Sequence, residues 1–467
     1  MLKKTKIIAT IGPSSKELNI LEKMVESGMD IIRINSAHGD IEQYKNIIKN
    51  INELNKRITY KKISVLLDVK GPEIRIISDK KYDLKYNDII EIFFPTNSMK
   101  SKKKDTMKMP IFNHFFKSQT GNKILVNDGL YELEIIKKNK NSIVLKALMN
   151  LQITNKLRVN IPGVEYDSEI LSENDKKVIL ELKNEFDFLA LSYVRNKNDL
   201  INARNFLNKN NIDVKIISKI ENIAAVNNFD EILEYSDAIM VARGDLGVEL
   251  KHEKVPIIQK EIIKKCNQKG KAVITATQML QTMVENPVPT RAETSDVANS
   301  ILDGTDAIML SAESATGKFP INAVKEMTKI AKEVEPYVKS NVVLEKTENI
   351  SEATAKSISE ITKLLNIKKV IALTHTGFTA KMLSRFRLKQ PIYAICNEKI
   401  AKELILYYGV EPFIFNNGLE NMKNFINTLI NQKRLLKEDL ILIASGTKPN
   451  ETNLIEINYV HEILNKN

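Results

Sequence analysis

Apolar and polar positions along this chain follow two periods, and the periods take turns. Short runs rich in Ile, Val and Ala stand at Lys6–Ile11, Asp30–Asn35, Ile63–Asp68, Phe186–Val194, Val214–Glu221, Ala238–Ala242, Ala272–Ala276 and Ala307–Ser311. They read as strands buried on both faces, as in a parallel sheet. Longer stretches with helical spacing follow most of them. Ser172-Glu-Asn-Asp has the signature of an N-cap before a helix at Lys177–Lys183. The Pro-bearing loop Glu285–Thr290 leads into a helix at Arg291–Leu302. Strand and helix in alternation predict βα units, and about eight of them close a (β/α)8 TIM barrel.

One interval is too wide for a βα loop. Between the third and fourth runs lie about 115 residues without helical period. They hold alternating runs at Ile89–Phe94 and Ser142–Lys146 and the turn Asn127-Asp128-Gly129. This predicts a small β-barrel domain at 72–164, inserted into a catalytic barrel formed by 1–71 and 165–340. Pro72 and Pro162-Gly163 mark its two joints and read as hinges. From 341 to 467 a second βα series, Val370–Leu373, Ile392–Ile395, Pro412–Phe415 and Leu440–Ala444, predicts a separate C-terminal α/β domain.

With 43% hydrophobic and 27% charged residues over 467 positions, the chain suits a soluble protein of several domains with a large core. No apolar run approaches the roughly 18 residues that span a bilayer. The start, MLKKTKIIATIG, is basic and then apolar, but the apolar part is short and Gly12-Pro13 breaks it. It reads as a first strand, and the protein as cytoplasmic. Cys266 and Cys396 lie far apart without metal-ligand spacing, and are expected as buried free thiols. Lys plus Arg exceed Asp plus Glu by 70 to 58, a formal charge of +12. The excess is Lys spread through Asn- and Ile-rich text, with no basic tail or aromatic-interleaved patch, so nucleic acid is not the expected partner.

Chemistry in a parallel barrel sits at the C-terminal ends of the strands. Read in order, those ends offer Thr10-Ile-Gly-Pro, Arg33-Ile-Asn-Ser-Ala-His-Gly, Asp68-Val-Lys-Gly-Pro-Glu-Ile-Arg75, Lys219-Ile-Glu221, Arg243-Gly-Asp245 and Thr275-Ala-Thr277. Each residue alone reads as a structural ion pair, a cap or an ordinary strand-end hydroxyl. Together they suit phosphoryl transfer, whose transition state spreads charge over the phosphoryl oxygens and needs cations around it. Arg33, Arg75 and Lys219 supply cations. Glu221 and Asp245 are hard oxygen donors for Mg²⁺ or Mn²⁺. Lys219 and Glu221, two apart on a strand, point to one face. The run Met240–Glu249 adds a Gly whose bare N–H can approach an anion, with Arg243 as a further cation.

Over nearly its whole length the chain resembles the pyruvate kinase family. The resemblance rests on TKIIATIGPSS, RINSAHG, DVKGPEIR, VNDGL, VNIPG, IISKIEN, IMVARGDLGVE, ITATQML, NPVPTRAETSDVAN and DGTDAIMLSAESATGKFP, in order. It implies a homotetrameric enzyme that passes the phosphoryl group of phosphoenolpyruvate to ADP. It implies that Arg33, Arg75 and Lys219 hold and neutralise the moving phosphate, and that Glu221 and Asp245 ligate the divalent ion. The N–H groups of Gly244 and Asp245 would take the substrate carboxylate, and Thr277 would stand where the enolate is protonated. Asn35, His38, Arg75, Asp128 and Lys156 would serve the nucleotide. Asn35, Asp68 and the Val69 carbonyl would ligate K⁺. That set departs from the family at Ala37, where a serine hydroxyl is usual, while Glu73 is the choice associated with K⁺ dependence. Ser311-Ala-Glu-Ser-Ala315 also replaces the usual SGETA. In the C-terminal domain Thr374, Thr376 and Thr379, with the Ser445-Gly446-Thr447 loop, resemble a site for the phosphate of a sugar-phosphate or nucleotide effector. The competing expectation is a catalytically silent relative that binds or senses. The presence of every matched phosphate, metal and proton-face residue speaks against it.

Overall fold

Eight parallel strands close on themselves in sequence order: β1 (Lys6–Thr10), β2 (Ile31–Asn35), β3 (Ser64–Val69), β4 (Phe188–Leu191), β5 (Lys215–Ile220), β6 (Ala238–Ala242), β7 (Ala272–Ala276) and β8 (Ala307–Leu310). This computed structural model describes residues 3–58, 61–78, 80–93, 118–140, 142–164, 168–414 and 422–465. β8 returns to pair with β1, Lys6 opposite Ala307. Side chains alternate between two cores. Ile7, Ile32, Leu67, Leu189, Ile216, Ile239, Val273 and Ile308 face the surrounding helices. Ile8, Ile31, Leu66, Phe188, Ile217, Met240, Ile274 and Met309 fill the barrel interior. All are at most 2% exposed, which is why these strands read as unbroken apolar runs rather than alternating ones.

The strands are shorter than their apolar text. Phe186 and Val194, expected in the fourth strand, are buried but lie in the segments that flank β4. Glu221 stands just past the end of β5. The helices begin where side chains cap them. Ser172 and Asp175 form a capping box that starts a helix at Glu173–Glu181, earlier than the expected Lys177. Thr290 and Glu293 form another, and that helix spans Arg291–Leu302 as its sequence predicts.

Between β3 and β4 stands the inserted β unit. The six strands Ile74–Arg75, Arg158–Asn160, Lys123–Val126, Tyr131–Lys138, Ser142–Ala147 and Ile89–Phe93 form one antiparallel sheet in that spatial order. Tyr82–Leu84 and Leu151–Ile153 form a second ribbon. Their inner faces share a core of Ile92, Leu133, Ile135, Leu145, Ile153 and neighbours. The Asn127-Asp128-Gly129 turn takes positive φ at all three positions, a backbone that Asn, Asp and Gly tolerate best.

The C-terminal α/β unit is a five-stranded sheet of order Val410–Ile414, Ile392–Cys396, Ile367–Leu373, Leu440–Ser445, Leu454–Tyr459. The first four strands are parallel as expected, with Phe415 outside the described residues. The fifth is antiparallel and was not expected. It lies at the edge, and Leu454, Ile455 and Tyr459 are exposed on it. Cys266 and Cys396 are free and buried. Burial pushes the Cys396 thiol up to about 12 and Cys266 well above its ordinary value. Among the described residues no helix is long and apolar enough to cross a membrane.

Candidate active site

The alternation that fills the barrel also builds its mouth. Counting on by two from an interior residue reaches Thr10 from Ile8, Arg33 and Asn35 from Ile31, Asp68 from Leu66, and Lys219 and Glu221 from Ile217. Parallel register sets Asn35 beside Asp68 on adjacent strands. Polar side chains therefore converge at the C-terminal rim.

Lys219 is the hub. Its Nζ lies 2.8 Å from Glu221 Oε1, 3.2 Å from Asp68 Oδ1 and 2.7 Å from Ser192 Oγ. Arg33 donates from Nε to Asp68 Oδ2 at 2.7 Å and from its terminal nitrogen to Thr10 Oγ1 at 2.8 Å. Glu221 Oε2 accepts the Tyr193 N–H at 2.8 Å. These charges are nearly dry, Asp68 being 1% and Glu221 3% exposed. Burial alone would lower Lys219, but the Asp68 and Glu221 carboxylates outweigh it and raise its pKa. Burial alone would raise Asp68, but Lys219 and Arg33 hold it below the usual carboxylate value. For Glu221 burial wins: its pKa is raised, with Asp245 adding to the rise and Lys219 opposing it.

The segment after β6 differs in detail from its sequence reading. Ala242 ends the strand and Arg243–Glu249 is a helix. Arg243 does not face the mouth. Its guanidinium donates to Asp296 at 2.7 Å and to the Thr277 carbonyl at 2.8 Å, which pins the loop after β7 to the following helix. The Gly244 N–H donates to Thr277 Oγ1 at 2.7 Å, so the hydroxyl of Thr277 fills the place foreseen for a substrate carboxylate. Thr277 itself has φ +70° and donates to the Ala276 carbonyl.

The insert closes onto that helix. Arg158 and Asn160 share one face of their strand and reach Asp245 and Glu249, one helical turn apart. Gly129 approaches Val248. Arg158 also lies 3.6 Å from Asp128 and 5.3 Å above the Tyr193 ring. Arg75 pairs with Glu73 at 2.7 Å and donates to the Lys156 carbonyl at 2.8 Å. Arg33, Asn35, His38, Asp68, Val69, Arg75, Asp128, Lys156, Lys219 and Asp245 all line one cavity of about 280 Å³. Arg33, Asn35 and His38 also border a neighbouring cavity of about 710 Å³, with Pro13, Lys16 and Tyr44 on its walls. Sequence reasoning passed over Arg158, Ser192, Tyr193 and Tyr44. Strand alternation from Phe188 would have found Ser192, while Arg158 reaches the mouth only through the docking of a separate sheet.

The three K⁺ positions already have protein donors. Asn35 Oδ1 accepts the Ala37 N–H at 3.1 Å and the Val69 carbonyl accepts Ser192 Oγ at 2.8 Å. In the C-terminal unit Thr376 Oγ1 meets Asn450 at 2.7 Å, which joins the two loops expected to form one site. Thr374 is buried at the end of its strand. Thr379 lies deeper: it is 2% exposed and its Oγ1 accepts from the Thr452 hydroxyl at 3.0 Å, because its helix turns that side into the core.

A barrel whose mouth gathers buried cations and carboxylates beneath an inserted sheet belongs to the (β/α)8 proteins that carry their site at the C-terminal rim of the barrel. Residues 2–324 match the family model for the pyruvate kinase barrel domain and 352–458 that for the pyruvate kinase alpha/beta domain. Pyruvate kinases of Bacillus licheniformis and Geobacillus stearothermophilus are each 38% identical to it, over 100% of this chain and 82% of theirs. A solved pyruvate kinase of Cryptosporidium parvum superposes with a TM-score of 0.91 at 34% identity, covering 98% of this chain and 96% of its own. The chain belongs to the pyruvate kinase family.

Proposed function

We propose that this chain transfers the phosphoryl group of phosphoenolpyruvate to ADP, giving ATP and pyruvate, the last step of glycolysis. The observation that carries the reading is the meeting of two cavities at Arg33, Asn35 and His38. One is large enough for a nucleoside. The other is lined by the cations and carboxylates that phosphoryl transfer needs. ADP laid across the border presents its terminal phosphate to the phosphoryl donor beside Lys219 and Arg33.

Lys219 and Arg33 then stabilise the charge that gathers on the phosphoryl oxygens as the bond to the enolate oxygen breaks and the bond to ADP forms. Their network with Asp68 fixes both side chains before substrate arrives, so little reorganisation remains at the moment of reaction. Arg75 and Lys156, on the insert, and Asp128 in its turn face the nucleotide phosphates. Asn35 and His38 border its passage. The substrate carboxylate takes the N–H groups of Gly244 and Asp245, displacing the Thr277 hydroxyl. That hydroxyl is then free to support a proton on its way to the enolate carbon.

The donor set fits a divalent ion. Glu221 stands just past β5 and Asp245 in the first turn of the helix after β6, and Asp245 already holds a cation in the guanidinium of Arg158. Among the described residues no cluster of three His, Cys, Asp or Glu forms an all-protein cage. That suits Mg²⁺ or Mn²⁺, which commonly takes one or two carboxylates and completes its shell with substrate oxygens and water. Such an ion supplies Lewis-acid neutralisation of the phosphoryl oxygens. K⁺ would rest on Asn35, Asp68 and the Val69 carbonyl, with water in the place that Ala37 leaves open. The protein acts as a cytoplasmic homotetramer in this reading, with a sugar-phosphate or nucleotide effector at Thr374 and Thr376.

The test is formation of pyruvate from phosphoenolpyruvate and ADP with Mg²⁺ and K⁺, followed by coupling to lactate dehydrogenase. Folded protein that makes no pyruvate above background would overturn the proposal in favour of a silent relative.

A further inference from the structure

The reaction leaves Arg158 without a task, yet its placement is specific. It stands on the insert strand Arg158–Asn160 with its side chain 16% exposed. One terminal nitrogen donates to Asp245 and lies 3.6 Å from Asp128. The guanidinium is 5.3 Å above the Tyr193 ring, and its Nε is buried with no hydrogen-bond partner. A guanidinium presents five donors in a planar fork that suits phosphate oxygens. A buried N–H left unmatched is unfavourable, so an oxygen brought within its reach would be favoured. The open side is the cavity it shares with Arg33, Arg75, Lys219 and Asp245.

Charge explains the resting position. Lys219 and Arg33 are engaged by Asp68 and Glu221, and Glu73 takes Arg75 and Lys70, so Arg158 is the cation that pairs with Asp245. A divalent ion on Asp245 would compete with it, because two cations on one carboxylate repel each other. The Asn160–Glu249 contact at 3.2 Å holds the strand to the helix independently. The guanidinium can therefore swing without the insert leaving.

We propose that Arg158 is a further phosphate-binding residue of this site, parked on Asp245 in the metal-free protein and handed to the substrate's phosphate oxygens when a divalent cation takes Asp245. This rests on reading Asp245 as a metal carboxylate. Binding of the ion and release of the arginine are then one exchange, and each weakens the other by the same factor.

The test titrates Mn²⁺ into the full-length protein, reading free aquo ion by electron paramagnetic resonance, for wild type, Arg158→Ala, Arg158→Gln and Asp245→Asn. Without nucleotide, both Arg158 variants should bind Mn²⁺ about tenfold more tightly, because the competitor is gone. At saturating Mn²⁺ their KM for ADP or for phosphoenolpyruvate should rise about tenfold, as one phosphate contact is lost. Asp245→Asn should lose Mn²⁺ binding. A merely structural arginine would not tighten metal binding when removed, and Gln keeps part of the stem over Tyr193 should Ala impair folding. Unchanged or weaker Mn²⁺ affinity in the Arg158 variants, with binding lost in Asp245→Asn, would overturn the exchange and leave the metal reading standing. Mn²⁺ binding that survives Asp245→Asn would overturn the metal reading and the exchange with it. Unchanged KM values for both substrates would overturn the phosphate role.

Discussion

Lys219 holds three oxygen partners at the mouth of the barrel, and a substitution there separates its electrostatic role from its structural one. Lys219→Met keeps the length of the stem and removes the charge. Pyruvate formation should fall about a hundred- to a thousandfold, the usual effect of losing one preorganised transition-state donor. Mn²⁺ binding, read independently, should survive. More than about a tenth of wild-type rate would show that another cation carries the phosphoryl charge. Asp30 offers a test of stability at the opposite end of the barrel, where its carboxylate meets Lys3 at 2.5 Å and Lys61 at 3.2 Å. Burial alone would raise its pKa, but Lys3, Lys61 and Lys6 together hold it below the ordinary carboxylate range. Its contribution is therefore complete above the unfolded value near 4 and drains away as pH falls towards the lower folded value. Urea midpoints should drop between pH 5 and about 2 by more in wild type than in Asp30→Asn, which lacks this titration. At this scale the sequence was legible wherever strand alternation decides. Arg33, Asp68, Lys219 and Glu221 follow from counting by two along strands that were already visible. Arg158 and Tyr193 do not, because nothing local tells an insert residue which barrel helix it will meet. Arg243 misled for the same reason: its charge was visible, but its partner Asp296 lies on another helix.

Elements were easiest to foresee where a local rule fixes both identity and boundary. The capping box at Thr290 and Glu293 starts its helix at the expected residue, and Glu293 also ties Thr282 at 2.5 Å. The antiparallel strand Leu454–Tyr459 escaped notice because an exposed edge gives its side chains no consistent apolar face to display. The loop after β1 makes a prediction of its own. A Cβ on Gly12 would stand 2.6 Å from the Ala315 carbonyl oxygen, and the Ser14 N–H bonds that same oxygen at 3.0 Å. Gly12→Ala must push the short helix Ala312–Ala315 outward, and both segments line the larger cavity. KM for ADP should rise several-fold while kcat stays within about twofold, because the cations of the mouth do not move. An equal fall in kcat would show that the larger cavity does not serve the nucleotide.

Across the whole molecule, the barrel and the C-terminal unit share more than a surface. Arg387 grips Asp306 with both terminal nitrogens at 2.9 Å, and Asp306 also accepts the N–H groups of Tyr408 and Val273 at 3.0 Å. The pair is at most 2% exposed on each side chain. Removing one partner strands the other charge, so Arg387→Ala should lose about 3–5 kcal/mol, read as earlier thermal unfolding of barrel and C-terminal unit together. Two separate transitions, with only the later part of the chain shifted, would contradict that coupling. The insert should behave otherwise. It meets the helix after β6 through Arg158, Asn160 and Gly129, and small-angle scattering or proteolysis near Pro72 and Pro162-Gly163 should change on adding Mg²⁺, ADP and oxalate. Identical profiles would mean a fixed sheet. The apolar filling of the barrel, from Ile8 and Phe188 to Met309, runs without a break into Val370, Leu404, Val410 and Leu442 of the C-terminal sheet. The tube has no floor of its own. Chimeras with relatives can therefore exchange an insert that keeps partners for Asp245 and Glu249, but a barrel spliced to a foreign C-terminal half inherits a mismatched lid to its lower opening. Folded chimeras should be recovered only when barrel and C-terminal half come from one parent.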